Sequence, residues 1–148
     1  MREILYRALS MCRGEHWVYG QPRHYARNPH TEKWTIYDPA TGIETDIVED
    51  TICQYTGLHD KNGTKIFEGD IVRRHELPFN LVDIGVVVYN ESIGSFRLNV
   101  EKNGVTKRYD FVSSDVYRDG YCTVDCKATF EVMGNIFDNK NLLKGGEK

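Results

Sequence analysis

The 148-residue sequence predicts a mostly β protein with only short helical turns. Three observations carry that reading. Apolar residues alternate with polar ones at period 2 in Ile4-Tyr6-Ala8, Trp17-Tyr19, Trp34-Ile36, Ile43-Thr45-Ile47 and Tyr109-Phe111. Clusters of Gly, Asn, Asp and Ser, which turn a chain sharply, stand between alternating segments. No stretch of a dozen residues shows helical periodicity. Two Trp, nine Tyr and six Phe also suit half-buried strand positions.

Taken in order, the first four alternations make residues 1–55 a β-meander of four or five strands. The run from Gln54 to Val72 then reads as strand, turn, strand, turn, strand. Asp60-Lys61-Asn62-Gly63 is a hairpin loop, since Asp bonds its own backbone two residues on and Gly accepts the positive φ. Thr64, Ile66 and Phe67 suit the return strand, Glu68-Gly69-Asp70 turns again, and Ile71-Val72 restarts. Val86-Val87-Val88-Tyr89 is a continuous apolar run, expected of a strand covered on both faces. Turn residues at 90–94, alternation over 96–100, Asn103-Gly104 and the return strand 107–112 predict a hairpin over 94–112. Ala128 to Phe137 is the last core strand. One helical turn is expected over 112–117 and another over 139–143.

The order Gly69-Asp70-Ile71-Val72, a polar stretch, Gly85 to Tyr89 and Phe96-Arg97-Leu98 follows the opening pattern of a C-terminal SH3-like small barrel. Residues 73–84, with Arg73-Arg74-His75 and Pro78-Phe79, would be its long loop. The expected organisation is 1–55 as the N-terminal β-rich part and 56–72 as a connecting hairpin motif. Residues 73–141 would complete the barrel, and 142–148 a tail.

The pattern Gln-Tyr-Thr-Gly-Leu-x-Asp-x-x-Gly-x-x-Ile-Phe-x-Gly-Asp-Ile-Val at 54–72 resembles the YopX family of phage and prophage proteins. Tyr6-Arg7-Ala8 with Trp17 to Gly20 is similar to the family's opening. Phe130 to Asn139, with Leu142-Leu143, is similar to its closing motif. The resemblance implies a mobile-element origin. It brings no established activity and no catalytic residues to map.

Composition bounds the function. No apolar run approaches the roughly 20 residues of a membrane span, and the N-terminus lacks a signal peptide's apolar core, so cytoplasmic localisation is expected. Cys12, Cys53, Cys122 and Cys126 are then read as reduced thiols. Cys122 and Cys126 form one loose pair with no second, which favours structural cysteine over zinc. The Asp60/Asn62/Gly63 cluster meets only part of a calcium-loop pattern, so the plain turn is preferred. No cofactor is expected. Paired carboxylates such as Glu68 and Asp70 sit at turns, and no base-orienting third group accompanies any Cys/His pair. The chain is therefore expected not to be an enzyme.

Charge is unevenly spread beneath a net −3: residues 1–37 carry six basic and three acidic groups, and residues 38–70 two basic and eight acidic. Arg23, Arg27, Lys33 and Trp34 interleave cations with rings, as a single-strand nucleic-acid groove would, with Arg73 and Arg74 as further candidates. The blander reading is a solvated surface loop whose charge is met by the acidic segment, and the acidic pI favours it. The leading expectation is a non-enzymatic binding or assembly module, self-associating through N-terminal edge strands and engaging an unknown host or phage protein. Nucleic-acid binding through residues 23–34 is the alternative.

Overall fold

The computed structural model describes residues 3–12, 16–26, 32–111 and 127–145. Their strands are β1 (Tyr6–Leu9), β2 (Trp17–Ala26), β3 (Glu32–Tyr37), β4 (Glu44–Asp46), β5 (Cys53–His59) and β6 (Lys65–Phe67). They continue with β7 (Asp70–Leu77), β8 (Leu81–Asn90), β9 (Ser95–Lys102), β10 (Val105–Tyr109) and β11 (Lys127–Asn135), before a helical turn, α1 (Asn141–Gly145). Two antiparallel sheets result, ordered β4-β3-β2-β1-β5-β6 and β10-β9-β8-β7-β11. The chain divides into two compact units, Met1–Gly57 and Leu58–Lys148.

In the first unit β1 is central, pairing β2 at Ala8↔Val18 and β5 at Tyr6↔Gln54. Ala8, Ile36 and Ile47 are buried together, with Val18, Trp34 and Ile52 packed on them. A short 3-10 turn, Glu49–Thr51, closes this core: Thr51 Oγ1 accepts from Leu9 N and donates to Val48 O. β2 passes from β1 to β3 at Gly20, where a Cβ would lie 2.1 Å from the Tyr37 carbonyl oxygen. Only glycine fits there.

The second unit buries Ile66, Val72, Val87, Leu98 and Val100, with Phe96, Tyr109, Phe130 and Val132 against them. Alternate residues of β7, β8 and β9 supply this face, as the period-2 pattern requires. Each fully buried aliphatic side chain contributes about 1.5–3 kcal/mol relative to exposure. That stabilisation fixes register, because a one-residue slip would turn the whole set outward.

Three expectations need correction. Residues 23–26 are not loop but the end of β2, paired with β3 at Arg23↔Thr35, His24↔Trp34, Tyr25↔Lys33 and Ala26↔Glu32. Polar residues on both faces hid the alternation. Residues 73–84 are not a long loop either. β7 and β8 run nearly to their turn at 78–80, and inward positions of β7 carry Arg74 and Glu76, which pair with each other. Finally, the second sheet is open among the described residues: β10 and β11 lie at its two ends, unpaired to each other, so the barrel's closure is not seen there. The helical turn expected at 139–143 is present as α1, whereas the one at 112–117 lies outside the described residues, as do Cys122 and Cys126.

Candidate functional site

The β7–β8 hairpin changes chemistry along its length. Near its base Val72 and Val87 belong to the core. Farther out, Arg74 lies opposite Asp83 and Glu76 opposite Leu81. Arg74, Glu76 and Asp83 are 5%, 8% and 8% exposed. Charges so placed lose hydration and persist only when paired. Arg74 Nη1 meets Glu76 Oε2 at 2.6 Å, and its guanidinium stacks on Tyr109 at 4.2 Å. Lys102 Nζ reaches Asp83 Oδ1 and donates to the Val82 carbonyl. Burial, and then the charge of the Asp83 carboxylate that accepts a hydrogen bond from its hydroxyl, push the Tyr109 phenol above its ordinary value. This network straps the two arms of the hairpin to β9 and β10.

Beyond it the tip is apolar and exposed. Leu77, Phe79, Leu81 and Val82 are 46%, 55%, 53% and 39% accessible. Val105, 59% accessible, is a further exposed apolar residue at the same end of the sheet, where it pairs with Lys102 beside the β9–β10 turn. His75 Nε2 and Asn80 Oδ1 share a 2.6 Å hydrogen bond across the turn, with Asn80 at φ +52°. Exposed apolar side chains on a turn already held in place lose little further freedom on binding. They form a firm knob.

The residues singled out from sequence fall into two groups. Arg23, Lys33 and Trp34 lie on the β2–β3 hairpin of the first unit, and Arg73 and Arg74 on β7 of the second. Arg27 lies outside the described residues. Arg23 stacks on Tyr37 at 4.0 Å and comes within 3.6 Å of Glu44, while Lys33 pairs with Asp46 at 2.9 Å. Glu44 is the hub of that surface. Hydrogen bonds from Thr35 and Tyr25, and the nearby Arg23 and Lys33, hold its carboxyl below the usual range. The Asp46 carboxylate, as hydrogen-bond partner and charge, raises Lys33. Trp34 turns to the other face, stacked on His24 at 4.4 Å and packed on the core. Arg73 approaches Glu131 at 3.9 Å. Each of these described cations therefore has a carboxylate beside it, and Arg74 is buried. Among the described residues no group of three His, Cys, Asp or Glu is placed to hold a metal ion.

The first unit also carries a groove of about 340 Å³ whose lining includes Trp17, Val18, Tyr19, Ile36 and Ile43. Sequence reading did not find this groove or the apolar tip. The signal for the tip was Leu77-Pro78-Phe79 with Leu81-Val82, apolar residues on both sides of a Pro-Phe-Asn turn.

The signature run proves to be a set of locks. Asp60 accepts backbone N–H bonds from Asn62, Thr64 and Val132, each at 2.9 Å, and Lys61 N donates to Phe130 O. Burial alone would raise the Asp60 carboxyl, but the three amide donors, with Lys61, hold it below its ordinary value. Asp70 Oδ2 accepts from Phe67 N, and directly across the ladder Asn135 Oδ1 accepts from Phe137 N and Asp138 N. A family model described as YopX protein matches residues 5–144, nearly the whole chain. The chain belongs to the YopX family. No curated protein matches it. In this YopX-family chain the most recognisable residues shape turns and tie β11 in place, while the apolar tip lies outside all three signature stretches.

Proposed function

We propose that this YopX-family protein acts by binding other proteins, with no chemistry of its own, and that the apolar end of the second sheet is its contact surface. The observation that carries this is the tip itself: Leu77, Phe79, Leu81 and Val82 are exposed around one turn held by His75 and Asn80, Leu81 on the inward face of the hairpin and Val82 on the outward face. Several exposed apolar side chains gathered at one turn mark an interaction site more often than a single scattered one does. An SH3-like arrangement of this unit fits the reading by analogy alone, since small β domains of that kind serve mainly as binders. The partners are a host or phage protein in the cytoplasm and a further copy of the chain. Nucleic acid is the second reading, supported by the cations and rings that Arg23, Tyr25, Lys33 and Tyr37 set side by side. It is weakened by Glu44 and Asp46, which already face those cations.

The test compares wild type with a Phe79→Asp, Leu81→Asp variant. Size exclusion with light scattering measures self-association, and affinity capture from host lysate measures other partners. Wild type should associate, and the variant should lose that association with its circular dichroism unchanged. Equal association by both proteins, or none by either, would overturn the tip as contact surface. Anisotropy with labelled single-stranded DNA and RNA addresses the second reading. Salt-steep binding lost on Arg23→Glu with Lys33→Glu would favour it instead.

A further inference from the structure

A strand at the end of a sheet offers backbone N–H and C=O groups that a further strand can take. Among the described residues four strands hold that position, β4, β6, β10 and β11. Three of them are engaged or buried. The Asp46 carbonyl of β4 accepts from Met11 N, and Ile47 just beyond it bridges Ser10. β6 is short, with Ile66 and Phe67 buried. β11 is met by Asp60 and Lys61. β10 differs: Val105, Thr106, Lys107 and Arg108 are all exposed, and among the described residues only β9 pairs with it.

Hairpin geometry decides which groups face out. Asn103 and Gly104, both at positive φ, form a two-residue loop, so the flanking Lys102 and Val105 are a hydrogen-bonded pair. The alternation then turns the N–H and C=O of Val105, Lys107 and Tyr109 toward β9, and those of Thr106 and Arg108 away from it. Side chains add charge to that edge. Lys107 lies opposite Val100 and Arg108 opposite Asn99, so one cation stands on each face of the sheet. Neither lies within ion-pair distance of a carboxylate among the described residues, whereas Arg97 on β9 is held by Asp110.

Charge decides the occupant. A second copy of β10 laid antiparallel about either cation would set Lys107 against Lys107 or Arg108 against Arg108, and like charges directly opposite are destabilising. A strand with two successive carboxylates would instead place one opposite each cation, because its side chains alternate between the same two faces. We propose that β10 is a docking edge for an extended acidic segment of another protein, which adds to the sheet as a further strand through the Thr106 and Arg108 backbone. Lys107 and Arg108 then both refuse a second copy and select the acidic strand. The edge is separate from the Phe79 tip, and neither reading needs the other.

The probe is a short fluorescein-labelled peptide of Thr and Val with Glu-Glu at its centre, and its control carries Lys-Lys there. Anisotropy with the full-length chain should show saturable binding of the Glu-Glu peptide. The control should bind about tenfold or more weakly, since two attractive cross-strand pairs become repulsive. Lys107→Glu with Arg108→Glu should invert that preference, and both side chains are exposed, so the fold should stand. Thr106→Pro keeps both cations and removes one outward N–H, a change that edge strands tolerate, and should abolish most of the binding. Hydrogen exchange supplies the address: the Thr106 and Arg108 amides should exchange fast in the free protein and slow when the Glu-Glu peptide is added. No binding by wild type, or no preference between the peptides, overturns the proposal. Thr106 and Arg108 amides protected before peptide is added show an edge already covered, and overturn it as well. Binding that survives Thr106→Pro, with circular dichroism unchanged, means charge attraction without strand addition and has the same consequence. The Phe79→Asp, Leu81→Asp variant should bind the peptide as wild type does. Loss of binding there, with the β10 variants unaffected, would move the contact to the tip and sink the edge.

Discussion

Replacing Asp60 by Asn separates the two jobs its carboxylate performs. Oδ1 accepts from Asn62 N and Thr64 N within the turn, and Oδ2 accepts from Val132 N on β11. An asparagine can keep its oxygen toward the turn, but its NH2 then faces the Val132 N–H, donor against donor. A hydrogen bond to a charged group is worth about 1.5–3 kcal/mol, and the Val132 bond is the less solvated of the three. Asp60→Asn should therefore cost about 1.5–3 kcal/mol. Asp60→Ala should cost roughly 1 kcal/mol more, since the two turn donors are exposed and water replaces part of what they lose. Urea unfolding at neutral pH measures both, and on a unit of this size 2 kcal/mol amounts to on the order of 10 °C in melting temperature. The pH dependence is a second check. The folded carboxyl is held below its unfolded value, so its contribution is fully present above about pH 3.9 and is lost as pH falls through the folded value. The gap between wild type and Asp60→Asn should close in acid. A gap below 0.5 kcal/mol at neutral pH, or one unchanged down to the acid limit, would refute the tether.

Further predictions follow from single contacts. Gly20→Ala sets a Cβ against the Tyr37 carbonyl and should unfold or severely destabilise the first unit, seen as loss of the Trp34 near-ultraviolet signal. Arg74→Met should cost about 3–5 kcal/mol by leaving Glu76 buried without its partner. Arg74→Met with Glu76→Leu should recover much of that, because the pair's own desolvation disappears with it. A double mutant as damaged as the single one would contradict this account. The Tyr109 phenol is raised in the folded state, so the stability it adds is complete below about pH 10 and fades as pH rises through the folded value. Tyr109→Phe should remove a phenolate that titrates above its ordinary value from the ultraviolet absorbance curve and flatten the alkaline loss of stability.

How much of this was legible in the sequence depended on where the deciding partner lay. Turn chemistry is local, so Asp60-Lys61-Asn62-Gly63 and Asn103-Gly104 marked their hairpins correctly: each aims a side chain or a positive φ at its own neighbours. The Val86-to-Tyr89 and Phe96-to-Val100 strands were equally visible, because their inward residues are apolar. β7 and the far half of β2 were missed for one reason. Their inward or paired positions carry Arg74, Glu76, Arg23 and Tyr25, and the groups that make Arg74, Arg23 and Tyr25 acceptable, Tyr109 and Glu44, come from elsewhere in the chain, while Arg74 and Glu76 meet each other only because an extended β7 puts both on one face. The same blindness shaped the nucleic-acid candidate. Arg23 and Lys33 read as free cations in sequence, yet Glu44 and Asp46 reach them only once β4 lies beside β3.

The signature meets an edge of the second sheet, whereas the candidate site lies at the turn of its inner β7–β8 hairpin. β11 is an edge strand of its sheet, yet Asp60 takes its Val132 N–H and Lys61 donates to its Phe130 carbonyl, so that stretch of the edge is already engaged. Covered edges resist indiscriminate pairing between chains. A protein that binds through an exposed apolar tip has particular need of that protection, because its tip and an open edge together would invite aggregation. If the tip is the contact surface, as proposed, the Gln54-to-Val72 motif would support binding without taking part in it, since its Asp60 and Lys61 engage the β11 edge. On this view Asp60→Asn should raise aggregation as well as lower stability, and Phe79→Asp should lower aggregation while leaving stability intact. Opposite signs from two substitutions in one unit, read by light scattering on warming, are what a split between a protected edge and a binding tip requires.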